Sequence, residues 1–212
     1  PKAPKLCVEP TAQVNLTDEE SRIMPTADGF IQGYNAQAAV TMGSQLVVST
    51  GVAQATNDKQ QLVPVLEQLQ ALPATLGAVT AIAADAGYYS EANAQACADA
   101  GIAPYLAMRR EAHHTWLAAQ LRKADPEPAA DATAVEQMAH RLQTKDGRDL
   151  YAKRKSTVET VFGIVKSAMR FRAFLLRGLE KVSGEWALVC TAYNFKHLYA
   201  LVAACQNRAI VA

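Results

Sequence analysis

Two carboxylates stand where side chains could do chemistry. Asp85 closes the apolar run "VTAIAA" and is followed by Ala86 and Gly87. That places it at the carboxyl end of a buried strand, where α/β sheets present ligand-binding side chains. The same residue also reads as a turn or cap aspartate ahead of Gly87. Glu159 lies in "YAKRKSTVETVFGIVKSAMR". Wound on a helix at about 100° per residue, this segment puts Val158, Val161, Phe162, Val165 and Met169 on one stripe, the core side. Lys155, Glu159, Gly163, Lys166 and Arg170 fall on a second stripe beside it. Gly163 leaves room next to the glutamate for a backbone or ligand to approach. Surface ion pairs between residues four apart, worth a few tenths of a kcal/mol each, account for Lys155 with Glu159. They leave Lys166 and Arg170 without an acid on that face. Acidic oxygens holding a metal ion, with Lys and Arg on adjoining phosphates, account for all of them.

The charge distribution points the same way. The formal net charge is only +1. Residues 151–181, however, carry eight Lys or Arg against Glu159 and Glu180, a balance of +6, and the rest of the chain carries −5. A basic segment of this kind is a polyanion-binding face or a solvated basic helix, and charge alone does not separate the two. With 50% hydrophobic and 19% charged residues over 212 positions, the chain can bury a sizeable core and is not disordered. No apolar run reaches membrane-spanning length and no signal peptide is evident. The sequence begins at Pro1 and is expected to be a piece of a longer protein. Cys7, Cys97, Cys190 and Cys205 form no C-x-x-C pair, so they read as buried free thiols in a reducing cytosol.

Positioning the two acids requires an α/β frame. Residues 1–28, with four prolines, read as an irregular lead-in. Residues 29–110 read as the sheet core. In it "FIQGYNAQAAV" and "SQLVVSTGVAQA" make a predicted hairpin, "DKQQLVPVLEQLQAL" a helix, "AVTAIAADAGYYS" a strand, "SEANAQACADAG" a helix capped by Ser90, and "IAPYLAM" a strand. Residues 111–150 read as a partly helical insertion or linker with short helices at "HHTWLAAQLRK" and "VEQMAHRLQ". Its His113, His114 and His140 lack the spacing of metal ligands on one helix face. Residues 151–212 read as C-terminal helices, turning near "SGE" at 183–185.

"ADAGYYSEAN" and "YAKRKSTVETVFGIVKSAMRFRAFLLRGLEKVSGEWALVCTAYNFKHL" together resemble the C-terminal half of bacterial insertion-sequence transposases of the DDE type. "ESRIMPTADGFIQGYNAQAAV" and "TNDKQQLVPVLEQL" are similar to the same group, so the resemblance spans most of residues 15–200. It implies an RNase H-like (retroviral-integrase-like) fold, an α/β mixed sheet flanked by helices, here with its first central strand missing. A related signature, Y-x-x-R-x-x-x-E-x-x-x-x-x-x-K, is matched by Tyr151, Arg154, Glu159 and Lys166, with one extra residue between Arg154 and Glu159. The basic position is therefore open between Arg154 and Lys155, and the helical winding favours Lys155.

By this resemblance Asp85 is the second acid of a catalytic triad and Glu159 the third, both of them metal ligands. The first acid would belong to a strand ahead of "GYNAQ". Asp18 and Asp28 lie in polar, strandless context and Asp58 reads as a helix cap, so none matches it. The implied activity is Mg²⁺-dependent DNA strand cleavage and strand transfer by two-metal phosphoryl transfer, with Mn²⁺ able to substitute. Tyr151, Arg154, Lys155, Lys166, Arg170 and Arg172 would contact double-stranded DNA, both transposon ends and target. A homodimer of the full-length protein and a cytoplasmic, nucleoid-associated location go with this reading. The alternative is a catalytically inactive remnant that only binds DNA or oligomerises. Trp186 and Phe162 read as core residues, while Tyr88 and Tyr89 stay open between packing and base stacking.

Overall fold

Val47, Val48, Thr50 and Val52 are β-branched and stiff at χ1, which favours the pleated chain. They form β4 (Val47–Ala53), which pairs antiparallel with β3 (Asn35–Val40). The computed structural model describes residues 14–26, 29–108, 126–129 and 131–211, and side chains as far as residue 206. The predicted hairpin is present but shorter than its apolar run. Residues Gly29–Gly33 form β2, which pairs antiparallel with β1 (Arg22–Thr26). β1 corrects the reading of residues 1–28 as an irregular lead-in. Pro25 sits opposite Phe30 in this two-stranded ribbon, where both strands are edges and proline is admitted.

The helix after Asp58 is α1 (Leu62–Gln70), with Pro64 in its first turn and Leu62, Val65, Leu66 and Leu69 buried at helical spacing. β5 (Ala81–Ala84) and β6 (Ala103–Leu106) pair in parallel through α2 (Glu91–Asp99). Ser90 caps α2, its hydroxyl accepting from the Asn93 N–H at 3.1 Å, and Gly101 follows the helix at φ +70.

Within the predicted insertion, α3 (Ala134–Gln143) opens on a Thr133/Glu136 capping box, and α4 (Lys145–Arg154) is capped by Thr144. "HHTWLAAQLRK", with His113 and His114, lies outside the described residues. A π turn (Lys155–Glu159) leads into α5 (Thr160–Ser167), and α6 (Leu179–Val211) ends the chain. The predicted turn near 183–185 is corrected: Ser183, Gly184 and Glu185 lie inside α6. One exposed helical glycine costs about 1 kcal/mol. Burial of Val182, Trp186, Cys190 and Tyr193 along one stripe outweighs it at roughly 1.5–3 kcal/mol per large apolar side chain. The break falls earlier, after Ser167, where Arg170 (φ +59) and Gly178 (φ +83) take left-handed conformations. The carboxylates of Asp18 and Glu20 accept from the Gly178 and Leu179 N–H groups at 3.3 and 2.7 Å, capping α6 from a distant part of the chain.

Two apolar clusters hold these elements. One joins Leu62 and Leu66 of α1, Ala94 and Cys97 of α2, Leu106 of β6 and Met138 of α3. The other joins Val47 of β4, Val161 and Val165 of α5, and Trp186, Cys190 and Tyr193 of α6. Burial raises the Cys97 thiol to about 11 and the Cys190 thiol to about 12, so both are neutral core residues, whereas Cys205 is exposed. No helix among the described residues is long and apolar enough to cross a membrane.

The described strands make three separate two-stranded sheets, β1–β2, β3–β4 and β5–β6. β3 is bonded along one edge to β4, and β5 along one edge to β6. Every residue of β3 and every residue of β5 lines one cavity of about 970 Å³. Successive residues of a strand point to opposite faces, so a cavity lined by both sets runs along the strand edge. The edges of β3 and β5 that no described strand pairs with therefore border the same space.

Candidate active site

Asp85 follows β5 directly and is the residue at which the chain turns into a short 3₁₀ turn, Ala86–Tyr88. Both readings of it hold as geometry: it stands at a strand's carboxyl end and it opens a turn. It makes no side-chain cap hydrogen bond there. Its carboxylate instead receives a hydrogen bond and ion pair from the Arg154 guanidinium at the end of α4. Asp85 and Glu159, 74 residues apart in the chain (159 − 85), line the same cavity with Arg154, Thr157 and Phe162. Arg154 also lies over the Tyr151 ring, 5.1 Å from its centroid, a cation–π contact.

The helical winding that favoured Lys155 fails at the π turn. A π turn closes i→i+5 hydrogen bonds, so residues five apart stack as residues four apart do on an α-helix. Arg154 and Glu159 are five apart, and the extra residue between them is absorbed. Both face the cavity, whereas Lys155 is exposed and outside its lining. Hydroxyls take up carbonyls around the turn. Ser156 and Thr157 donate to the Lys153 carbonyl at 2.9 and 2.7 Å, and Thr160 donates to the Ser156 carbonyl at 3.0 Å. The Gln45 amide donates to the Ser156 carbonyl as well, at 3.0 Å.

Asp58 belongs to this cavity, and sequence reasoning missed it. α1 begins at Leu62 with Gln61 as its N-cap and no side-chain cap bond, so Asp58 is not a helix cap. Its carboxylate accepts from Asn35 Nδ2 at 2.8 Å and Gln37 Nε2 at 3.0 Å. A Cβ on Gly87 would lie 3.1 Å from Asp58 Oδ2, so the absence of a side chain at 87 lets the turn after Asp85 come against this carboxylate. The Tyr88 hydroxyl bonds to Gln37 Oε1. Burial chiefly, then the charges of Asp58 and Asp85, push the Tyr88 phenol well above its usual range. Asn35 and Gln37 alternate on one face of β3, and two amides at i and i+2 pointing inward were the available signal that an acceptor lay opposite.

The remaining cations do not gather at this cavity. Lys166 and Arg172 line a second cavity of about 550 Å³ with Asp18, Tyr34, Phe171 and Trp186, and Phe162 lies between the two. Arg170 is exposed and lines neither. Asp18 is engaged by the Tyr34 hydroxyl, 2.8 Å from each carboxylate oxygen. Trp186 is buried, stacks on Phe162 at 5.6 Å, and donates from Nε1 to the Gln37 carbonyl at 2.8 Å. Asp28 lies outside the described residues.

Carboxylate oxygens are the right donors for a hard divalent cation, but their number falls short. Among the described residues, no group of three or more His, Cys, Asp or Glu is close enough together to hold a metal ion. Residues 9–195 match the family model described as "Transposase DDE domain". No curated protein and no solved structure matches the chain.

Proposed function

Since the chain belongs to the transposase DDE domain family, we propose that the cavity shared by Asp85, Glu159 and Arg154 is part of the site where that chemistry is done, DNA strand cleavage followed by strand transfer. The observation carrying this is that a strand-end aspartate and a helical glutamate, the two acids the resemblance selects, line one cavity bordered by two strand edges that no described strand pairs with. An additional strand paired to β3 and β5 would convert the separate pairs into a single mixed, RNase H-like sheet. A carboxylate at its end would supply the missing third acid beside Asp85.

Asp85 and Glu159 would hold Mg²⁺, or Mn²⁺ in its place, together with that third acid. The cation would activate water or a 3′-hydroxyl and stabilise the leaving oxygen. Tyr151, Arg154, Lys155, Lys166, Arg170 and Arg172 would contact the DNA backbone. Such contacts position the duplex without reading its sequence. The test is nicking of DNA bearing the element's ends by the full-length protein in Mg²⁺. Glu159→Gln is expected to reduce it by on the order of a hundredfold or more, the scale of losing one charge-stabilising group. Undiminished nicking would overturn the assignment of Glu159.

One observation favours the second reading, a DNA-binding module without catalysis. Among the described residues no group of three or more His, Cys, Asp or Glu is close enough together to hold a metal ion, Asp58 being engaged by Asn35 and Gln37, and Asp85 is already neutralised by Arg154. This reading gives DNA binding that weakens with salt but is indifferent to Mg²⁺ and to Asp85→Asn.

A further inference from the structure

Arg154 is nearly buried, its side chain 14% exposed, while its partner Asp85 is 62% exposed. The cation is therefore the fixed member of the pair and the carboxylate the open one. Several features of the chain hold the guanidinium in place. Tyr151 lies against it, and the π turn ends α4 so that Arg154 and Glu159 share one cavity wall. The Arg154 Nε is buried and makes no hydrogen bond, so this donor becomes available to a further oxygen only when the guanidinium moves. Together with the shortage of acidic ligands, these features describe a site whose positive charge is supplied by the protein itself.

We propose that Arg154 is the internal counter-ion of Asp85 and competes with a divalent cation for that carboxylate, the π turn being the device that puts it there. The inference deepens the proposed function and rests on it for the relevance of the cation. The contest itself requires only the pair. A divalent ion approaching Asp85 meets a fixed positive charge and an occupied carboxylate oxygen. It binds only when the guanidinium gives way, and a DNA phosphate is the acceptor that suits the released fork.

The experiment is Mn²⁺ binding to the 212-residue chain without DNA, followed by electron paramagnetic resonance of the free ion. Arg154→Gln is expected to bind Mn²⁺ at least about fivefold more tightly than the parent, the factor that even water-like screening leaves between unit charges at ion-pair distance. Adding Asp85→Asn should abolish the gain, and Lys155→Gln should give none. Should Arg154→Gln fail to fold by circular dichroism, Arg154→Lys carries the test. It keeps the charge but loses the fork, and a gain of about twofold is expected. No gain in the folded variant, a gain that survives Asp85→Asn, or an equal gain in Lys155→Gln overturns the proposal. Failure of DNA nicking by the full-length protein would remove the proposed function yet leave the Mn²⁺ result standing.

Discussion

Replacing Asp58 by alanine removes an acceptor that two amides share, and the structure sets the size of the effect. Gln37 is only 5% exposed and donates to Asp58 at 3.0 Å, and Asn35 donates to the same oxygen at 2.8 Å. Hydrogen bonds to a charged group contribute about 1.5–3 kcal/mol each, and a buried donor left alone costs about 1–3 kcal/mol. Neither amide would be left alone. Gln37 Nε2 keeps the Asn35 Oδ1 at 2.7 Å, and Asn35 Nδ2 keeps the Ala55 carbonyl at 3.3 Å. The net loss should therefore lie near the bottom of the range for two such bonds, about 3 kcal/mol, or about 6–12 °C in melting temperature for a chain of this size. Asp58→Asn preserves the shape and can keep its amide oxygen toward both donors but loses the charge that strengthens those bonds, and should cost about half as much. Urea unfolding followed by Trp fluorescence measures both. Spectrophotometric titration of Tyr88 gives an independent reading. Burial is the main reason its phenol resists ionisation and the Asp58 charge is the next, so removing that anion favours phenolate and moves the midpoint down. If Asp58→Ala unfolds within about 0.5 kcal/mol of the parent, the carboxylate does not hold the turn behind Asp85 and the account of this cavity wall is wrong.

Other expectations follow from neighbouring features. Deleting Ser156 should convert the π turn into ordinary α-helix while keeping Arg154 and Glu159 on one side. Stability by thermal melting should then stay within about 1 kcal/mol of the parent, whereas deleting Ile164 in α5, where no extra residue awaits removal, should unfold the chain. Gly147→Ala would drive a Cβ into the Arg141 carbonyl at the junction of α3 and α4. A loss of about 3 kcal/mol or more is expected in urea melts. The raised Cys97 and Cys190 thiols are neutral at pH 8 and buried. Peptide mapping after brief iodoacetamide treatment should find Cys205 modified and these two protected.

The chain discloses its local elements more readily than its long-range polar contacts. The run "VTAIAA" and the Asp-Ala-Gly after it suffice to put Asp85 at a strand end. Periodic leucines in α1 and the Ser90 cap of α2 place those helices in the same way. β1 escaped because prolines weigh against strand in a sequence, and only the pairing with β2 shows that this ribbon is all edge. Gly184 suggested a turn, yet the buried stripe from Val182 to Tyr193 carries the helix through it. Asp58 was read as a cap because capping is judged from adjacent residues. Its true partners, Asn35 and Gln37, are 23 and 21 residues away. Between Arg154 and Lys155 the winding favoured Lys155, because uniform winding cannot register a π turn. That turn depends on hydroxyls at Ser156, Thr157 and Thr160 and on the amide of Gln45, across 111 residues of chain.

Anomalous diffraction from crystals of the full-length protein grown with an end-bearing DNA and Mn²⁺ tests the central claim most directly. The account predicts an anomalous peak within coordination distance, about 2.1–2.3 Å, of carboxylate oxygens from both Asp85 and Glu159, with Arg154 turned from Asp85 toward a phosphate. Mn²⁺ found away from these carboxylates, with Arg154 still on Asp85 beside bound DNA, would contradict it.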